Sequence, residues 1–343
     1  MKDKSVIIGN YLTYIIKRLT TLFLIPWIFI SCGDDEKIVI IEPQEPEVEW
    51  IIYNKENSSL PDNQVNALAI DVQDTKWIGT AKGLVRIKNE EWTIYTTANS
   101  PLPSEYISAL AVENDGTVWV GTDDGLVRFD GEKWLVYTNK NSALTNNNIT
   151  CITHDNKNNV TWAGTDEGLI KVNNKDSLQH ISVADNTILA LTTDQNGALW
   201  VGFFKSFVFV GQISKYQNGI WQHHNLHNLG YPSSFPYGLA IDKNNAVLAV
   251  LAGTSVKAVI RNIGNNWQKI TRPDGARGLK SILLENEKIW VGGNSLSLFG
   301  SKNAECLSIP GQETHIQTMA VDSKGRKWLG TIMGGLAGYK STK

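Results

Sequence analysis

The histidines are the first residues of this sequence that could support catalysis or bind a metal ion. Three of the six cluster at His223, His224 and His227, and the i, i+4 spacing of His223 and His227 suits a metal ion when it occurs on a helix. In this sequence the three histidines follow a predicted strand and are predicted to lie in the connection after the fourth copy of a sequence repeat. No carboxylate lies among them. We therefore predict no metal site.

Acidic residues recur at one position of a sequence repeat of about 40 residues. This recurrence argues against a catalytic role for them. Each ends an apolar run before a turn, where its side chain can accept hydrogen bonds from turn amides. A catalyst needs one constellation of residues, and no Ser/His/Asp order, phosphate loop or zinc spacing is visible. We predict no catalytic residue and no cofactor. The recurring acids are Asp71, Asp155, Asp194, Asp242 and Asp322.

Aromatic and basic residues concentrate instead in predicted loops that depart from this pattern, between the second and third strands of a repeat or between repeats, and all of these loops are expected at one end of the fold. Aromatic rings beside Arg or His suit the apolar faces and hydroxyls of sugars, or a peptide, and a few such anchors carry most of the energy of an interface. The alternative is that Phe203 and Phe204 only cap irregular repeats. The predicted ligand-binding residues are Phe203, Phe204, Lys205, Tyr237, Arg277, His315 and Tyr106.

A repeat of about 40 residues must position these side chains. Eleven of the twelve tryptophans fall into two periodic series. The first series is Trp77, Trp119, Trp162, Trp200, Trp290 and Trp328, and the second is Trp50, Trp92, Trp134, Trp221 and Trp267. The fifth repeat diverges, and Leu251 is predicted to stand in place of its first tryptophan.

The sequence contains seven copies, and a complete copy contains four short β runs separated by Gly, Asn and Asp turns. Four strands in about 40 residues is the pattern of a propeller blade. The sequence therefore predicts an all-β fold, a seven-bladed β-propeller with four antiparallel strands per blade, over residues 48–343. The seventh copy lacks its last strand, and residues 49–53 resemble that strand, so we predict that the N-terminal strand closes the last blade.

The innermost strands also carry a packing pattern. One position holds a small residue in every copy, and the next holds a large one. Because strand side chains alternate between faces, each inner strand should offer a small face to one neighbouring blade and a large face to the other. The small residues are Ala67, Ala109, Cys151, Ala190, Gly238, Ser281 and Thr318.

The repeats resemble a known family. In the runs 77–84, 119–126 and 162–169, Trp-x-Gly-Thr is followed after two further residues by Gly-Leu. These runs are similar to the two-component regulator propeller repeat. In that family such propellers often form the periplasmic sensor half of hybrid histidine kinases. The sequence shows no transmitter, immunoglobulin-like or DNA-binding segment, so we expect a stand-alone form.

The N-terminal segment predicts export. Lys17 and Arg18 precede the apolar stretch 19–30, which has the length of a signal-peptide core. Phe29-Ile30-Ser31-Cys32 resembles a lipobox, in which Cys32 is lipidated. We predict a lipoprotein signal peptide at 1–31 and an acidic tether at 32–47. The acidic cluster 33–36 resembles a signal that exports some lipoproteins to the outer leaflet, so we expect an outer-membrane lipoprotein that can be exposed at the cell surface. Two alternatives stay open: residues 6–16 are also apolar, which would suit a membrane anchor, and the acidic cluster can be a solvated linker.

Composition and the absence of catalytic motifs narrow the function. The formal net charge is −2 and there is no basic stripe, so nucleic acid is not an expected partner. We predict a membrane-tethered, non-catalytic binding or sensor module, monomeric, with a glycan or an envelope protein as ligand. Two alternatives stay open. One is a lyase resembling the streptogramin lyase family, which has a similar seven-bladed build, and the other is an envelope scaffold.

Overall fold

Short strands and tight turns make up this protein, and none of the described residues is helical. The computed structural model describes residues 48–173, 177–183, 187–205, 209–254, 257–264, 266–270, 275–300, 305–312 and 315–341. By its contacts the chain divides into residues 1–45 and 46–343, and the strands belong to the second unit. The predicted signal peptide, the tether and Cys32 lie outside the described residues. Within the described ranges, no helix is long and apolar enough to span a membrane.

The described strands form seven four-stranded antiparallel sheets, which confirms the predicted seven-bladed propeller. Blade 1 consists of β2 (Val65–Ile70), β3 (Lys76–Thr80), β4 (Gly83–Lys88) and β5 (Glu91–Tyr95). Blade 2 consists of β6 (Ile107–Val112), β7 (Val118–Thr122), β8 (Gly125–Phe129) and β9 (Trp134–Tyr137). Blade 3 consists of β10 (Ile149–Asp155), β11 (Val160–Thr165), β12 (Gly168–Asn173) and β13 (Ser177–Ile181).

The other blades follow the same order. Blade 4 consists of β14 (Thr187–Thr193), β15 (Leu199–Lys205), β16 (Val210–Gln217) and β17 (Ile220–Asn225). Blade 5 consists of β18 (Ser234–Ile241), β19 (Val247–Gly253), β20 (Ala258–Ile263) and β21 (Asn266–Ile270). Blade 6 consists of β22 (Ser281–Glu285), β23 (Lys288–Gly292), β24 (Leu296–Phe299) and β25 (Cys306–Leu307). Blade 7 consists of β26 (Ile316–Val321), β27 (Lys327–Thr331), β28 (Leu336–Ser341) and β1 (Val48–Tyr53).

The N-terminal strand β1 completes blade 7, as the sequence predicts. It pairs with β28 in an antiparallel register that places Trp50 opposite Tyr339. The Arg326 guanidinium reinforces the joint with a hydrogen bond of 2.8 Å to the Glu49 carboxylate. The inner strand β26 also contacts β2 of blade 1, so the ring is closed at both the inner strand and the outer strand.

The acids that end the inner strands bond to turn amides and to tryptophan side chains. In blade 4, Asp194 Oδ1 accepts hydrogen bonds from the backbone N–H groups of Asn196 (2.9 Å) and Ala198 (3.0 Å). Its Oδ2 accepts the Trp200 indole N–H at 3.2 Å and lies 3.4 Å from Lys215 Nζ. One buried acid therefore fixes both the turn and the tryptophan of its blade. The same indole-to-carboxylate bond joins Trp119 to Glu113, Trp290 to Glu285 and Trp328 to Asp322.

Seven hydrophobic clusters fill the seven interfaces between neighbouring blades. Ala67 packs toward blade 2 and Leu68 toward blade 7, so the small and large faces of the inner strand are used as predicted. Six interfaces contain a second-strand tryptophan. In blade 5 the expected tryptophan position is Leu248, which pairs with Ala240 as Trp77 pairs with Ala69. The prediction of Leu251 for this position was wrong, because Leu251 pairs with Pro236 nearer the other end of the strand.

The glycine of the Gly-Thr turn is required by the neighbouring blade. A Cβ atom added to Gly121 would lie 2.6 Å from Cγ2 of Ile149, the first residue of the next inner strand. Gly79 faces Ile107 at the same distance. Blade 5 reverses the arrangement, because it has Gly238 on the inner strand and Val250 opposite it on β19. Each interface therefore keeps one position without a side chain, which lets the inner strands approach closely.

Candidate functional site

The loops between the second and third strands lie at the same end of the propeller as the connections between blades. Backbone hydrogen bonds join them directly, from Ala81 N to Gln64 O (3.1 Å) and from Gly83 N to Glu105 O (2.8 Å). In blade 7, Gly335 N donates to Asn63 O at 2.9 Å. The irregular connections and turns are thus gathered at one end, which we call the loop-rich end.

A cavity of about 510 Å³ opens around the propeller axis at this end. Its volume lies in the range of small-molecule sites. Every blade contributes to its wall, and each supplies one residue at an equivalent position. In six blades this residue occupies a bulge of the inner strand, where pairing with the second strand skips one position. These seven residues, the axial ring, are Asn66, Ser108, Thr150, Leu189, Tyr237, Lys280 and Gln317.

In blades 1 to 3 the axial ring joins neighbouring blades. Asn66 Nδ2 donates to the backbone oxygen of Ile107 at 3.0 Å, and the Ser108 hydroxyl donates to the oxygen of Ile149. The Thr150 hydroxyl donates to the oxygen of Ile188. Each short polar side chain thus bonds the first inner-strand residue of the next blade. These three residues are therefore structural.

In blades 5 to 7 the axial ring changes character. Its residues are Tyr237, Lys280 and Gln317. Among the described residues, none of these three side chains donates a hydrogen bond to a backbone oxygen of the next inner strand. Lys280 Nζ lies 4.0 Å from the centroid of the Tyr237 ring, in a cation–π contact. This half of the axial ring can therefore offer an aromatic face, an ammonium group and an amide to a ligand.

Burial and a neighbouring charge affect two basic groups here. Burial lowers the pKa of Lys280 below its ordinary value of 10.5. Burial also lowers the pKa of His315 below 6.5, and the positive charge of Lys280 adds to this effect, against two backbone hydrogen bonds that raise the pKa. The two groups are therefore close enough to interact electrostatically, and both carry charge of the same sign when protonated.

The structure brings two of the seven predicted binding residues to the cavity. Tyr106 and Tyr237 both line it, and Tyr106 is 39% exposed. Arg277 is exposed at the loop-rich end, where its backbone oxygen accepts a bond from Asn294 N at 3.0 Å. His315 is half-buried, and neither it nor Arg277 is among the residues that line the cavity.

The expectation that Phe203, Phe204 and Lys205 form a loop is wrong. All three belong to β15, where they pair with Gln212, Gly211 and Val210. Phe203 is 0% exposed and packs in the interface between blades 3 and 4, so it cannot contact a ligand. Strand β15 extends five residues past Trp200, whereas β3, β7 and β11 extend three residues past their tryptophans, so the loop starts later than the repeat predicts.

Phe204 belongs to a row of aromatic rings between blades 4 and 5. Its ring centroid lies 5.9 Å from that of Phe209 and 4.7 Å from that of Phe235. Phe235 in turn lies 6.4 Å from Tyr237. The row leads from Phe209, which is 66% exposed, to the wall of the cavity.

Two of the three clustered histidines lie on a strand. His223 and His224 are consecutive residues of β17, so their side chains point to opposite faces. His223 Nδ1 lies 2.8 Å from both Gln212 Nε2 and Ser214 Oγ, while His224 stacks on Trp200. Their placement in a connection was therefore wrong. Across the described ranges, no cluster of three His, Cys, Asp or Glu residues could hold a metal ion.

Sequence reasoning missed Lys280 and Gln317. Their position in the repeat could have identified them, because Lys280 directly precedes Ser281 and Gln317 directly precedes Thr318, two of the recurring small residues of the inner strands. Reading that column across the seven repeats would have shown short polar residues in blades 1 to 3 and larger side chains in blades 4 to 7.

A family model confirms the predicted repeat over one segment of the chain. The two-component regulator propeller model matches residues 101–124, which span the entry to blade 2 and its first two strands. No curated protein shows significant similarity to the sequence.

Several solved structures share the fold at low sequence identity. Virginiamycin B lyase from Staphylococcus aureus has a TM-score of 0.70 and 15% identity, covering 86% of this chain and 99% of the lyase. The extracellular domain of a hybrid two-component system from B. thetaiotaomicron has a TM-score of 0.69 and 17% identity, covering 85% of this chain and 41% of that one. YCF48 bound to D1 peptide has a TM-score of 0.65 and 12% identity, covering 87% and 98%. At these identities the likeness is one of fold.

Proposed function

We propose that this protein is a non-catalytic binding or sensor module that takes a glycan or protein ligand at the loop-rich end of its propeller. The observation that carries the proposal is the axial cavity, whose wall includes Tyr106, Tyr237 and the Gln317 amide. Aromatic rings pack on the apolar faces of sugar rings, and amides bond their hydroxyls. A glycan is therefore the ligand that the wall favours.

The repeated acids support a binding role over a catalytic one. Asp194 and Asp322 are engaged with turn amides and indoles, so these carboxylates stabilise the fold. They also lie at the turns between first and second strands, at the end of the propeller opposite the axial cavity. Proteins of similar fold include both sensor domains and lyases, and the chemistry of this chain's own cavity favours binding.

A glycan-array screen of residues 46–343, followed by titration of any bound glycan, tests the proposal. Tyr237→Ala and Tyr106→Ala should each weaken binding about thirtyfold, as expected for aromatic anchors. Lys324→Ala is the matched control, because Lys324 lines a cavity of about 720 Å³ at the opposite end, between blades 7 and 1. Loss of binding in Lys324→Ala with both tyrosine variants unaffected would place the site at the wrong end. Cleavage of the bound glycan would make the protein an enzyme, and an unsaturated product would identify it as a lyase.

We further propose that the protein is an outer-membrane lipoprotein anchored through Cys32. The lipobox-like run 29–32 and the acidic residues after it motivate this assignment. Two or three acyl chains would hold the protein firmly, whereas one chain gives marginal binding. Cys32→Ala should abolish incorporation of radiolabelled palmitate and release the protein from the outer-membrane fraction. Normal processing and labelling of that variant would exclude the assignment.

A further inference from the structure

Lys280 stands out among the seven residues of the axial ring. It is the residue directly before β22, and its side chain extends into the cavity where blades 1 to 3 place short groups that bond the next blade. Its backbone N–H donates to the oxygen of Gly292 at 2.8 Å, which fixes the start of the side chain. Its Nζ atom lies over the Tyr237 ring.

The ammonium group of Lys280 has no carboxylate partner among the described residues. None of the described residues that line the cavity is acidic. Lys280 is half-buried, so its charge is only partly solvated, and hydrogen bonds between an ammonium and an anion are about twice as strong as neutral ones. The lowered pKa of Lys280, caused by burial, is consistent with a cation that lacks an anion. An anionic ligand group would supply the missing partner.

The rest of the wall selects for a hydroxyl-rich ligand. The cavity wall combines aliphatic residues with the polar groups of the axial ring, so a ligand with both an apolar face and hydroxyls fits it better than a purely apolar one. The aliphatic residues include Leu68, Leu110, Ile152 and Leu189. Gln317 and the phenol groups of Tyr106 and Tyr237 can exchange hydrogen bonds with hydroxyls. A cavity of about 510 Å³ accommodates one or two sugar units.

We infer that the axial cavity binds an acidic sugar, whose carboxylate or sulfate group pairs with Lys280 while its ring packs against Tyr237. The inference rests on the proposed function and specifies its ligand class. Lys280 supplies the charge, and Tyr237 both positions the ammonium and offers its ring to the sugar.

Isothermal titration of residues 46–343 tests this with paired probes. The acidic probes are digalacturonic acid and a sulfated uronate disaccharide, and the neutral probe is the carboxyl-reduced form of digalacturonic acid. We expect at least one acidic probe to bind ten times or more tighter than the neutral one. Lys280→Met, which keeps an unbranched side chain one heavy atom shorter and removes its charge, should abolish that preference, whereas Lys280→Arg should retain it.

The remaining outcomes are distinguishable. Lys324→Met, the control at the opposite end, should behave as the wild type, and thermal melts should show that every variant is folded. Equal binding of acidic and neutral probes, or binding that Lys280→Met leaves unchanged, overturns the inference but leaves the proposed glycan function intact. Binding of inorganic sulfate as tight as that of the sugars overturns the sugar part. An absence of binding by every probe, together with an empty glycan array, overturns both.

Discussion

Trp50 lies against Tyr339, with ring centroids 5.0 Å apart and the ring planes inclined at 50°. The two residues face each other across the β1–β28 pair, so this contact joins the first strand of the propeller to the last. Tyr339 also meets Trp290 of blade 6 at 5.9 Å, which links the closing strand to the neighbouring blade. The closure therefore depends on packing between aromatic rings as well as on backbone pairing.

The first prediction concerns this closure. Trp50 is half-buried, as are Trp92 and Trp134 at the equivalent positions, so the full cost of removing a buried tryptophan, about 3–5 kcal/mol, is an upper bound. Trp50→Ala should lower the free energy of unfolding by about 2 kcal/mol, as should Trp92→Ala. Urea denaturation of residues 46–343 measures both.

Deleting β1 should have a larger effect than either substitution. A chain that starts at Leu60 lacks the partner of β28, and an unpaired strand edge promotes association between molecules. Size-exclusion chromatography should show aggregates. A monomeric product with an unchanged melting curve would contradict the role of β1 in closure.

The second prediction concerns the interface glycines. Gly121→Ala would place Cβ 2.6 Å from Ile149 Cγ2 and 2.9 Å from Ile149 Cβ, closer than real atoms approach. Overpacking of this kind costs about 1–3 kcal/mol, which thermal denaturation would register as a lower midpoint.

Gly238→Ala is the matched control, because its new Cβ would meet no atom closer than Lys280 O at 3.2 Å. It should cost less than half as much as Gly121→Ala. Equal costs would show that the contact with Ile149 does not decide the choice of glycine.

The third prediction concerns the acid stability of the ring. Asp74 Oδ1 accepts a bond of 2.8 Å from Ser323 N, and the Ser323 hydroxyl donates to the other oxygen, which links blade 1 to blade 7. These bonds lower the pKa of Asp74 below its ordinary value of 3.8. The stabilisation is therefore fully present above about pH 4 and is lost as the pH falls through the lower, folded-state pKa.

Asp74→Asn separates this charge effect from shape. Asp74 has a φ of 62°, a conformation that asparagine tolerates. The melting temperature of the wild type should exceed that of Asp74→Asn near neutral pH, and the gap should narrow between about pH 4 and pH 2. A gap that stays constant over this interval would show that the Asp74 charge does not contribute.

The fourth prediction concerns the two described cysteines. Burial raises the pKa of the Cys151 thiol to about 12, so almost no reactive thiolate forms near neutral pH. Cys306 Sγ lies 3.4 Å from Ser297 Oγ at the outer edge of blade 6. At pH 8 a disulfide-exchange reagent should label Cys306 in the native protein and Cys151 only after unfolding. Labelling of Cys306→Ser under native conditions would contradict this order.

The repeat made the architecture predictable. The spacing of the tryptophans and the orphan strand 49–53 specify seven blades and their closure, because each blade must bury its faces against the next. The error at Leu251 arose where the fifth repeat lost its tryptophan, and only strand pairing identifies Leu248 as the equivalent residue.

The site was less predictable because it lies where the repeats differ. Tyr106 and Tyr237 were predicted as aromatic residues of the loop-rich end, and the structure places both at the cavity, although Tyr237 belongs to β18 rather than to the connection before it. Phe203 was misjudged because a buried aromatic residue at the end of a strand cannot be told from an exposed one in a loop. Lys280 was missed because its position depends on comparing one column across all seven inner strands.

The pairing of β1 with β28 has a consequence for how the chain matures. Strand β1 is synthesised first among the described strands, but its partner in the sheet is the last, so blade 7 cannot assemble until synthesis has passed residue 341. Contacts between distant parts of a chain form slowly, because a long loop must close first. Until then β1 presents an aromatic strand without a partner, which would have to be kept from pairing with other chains.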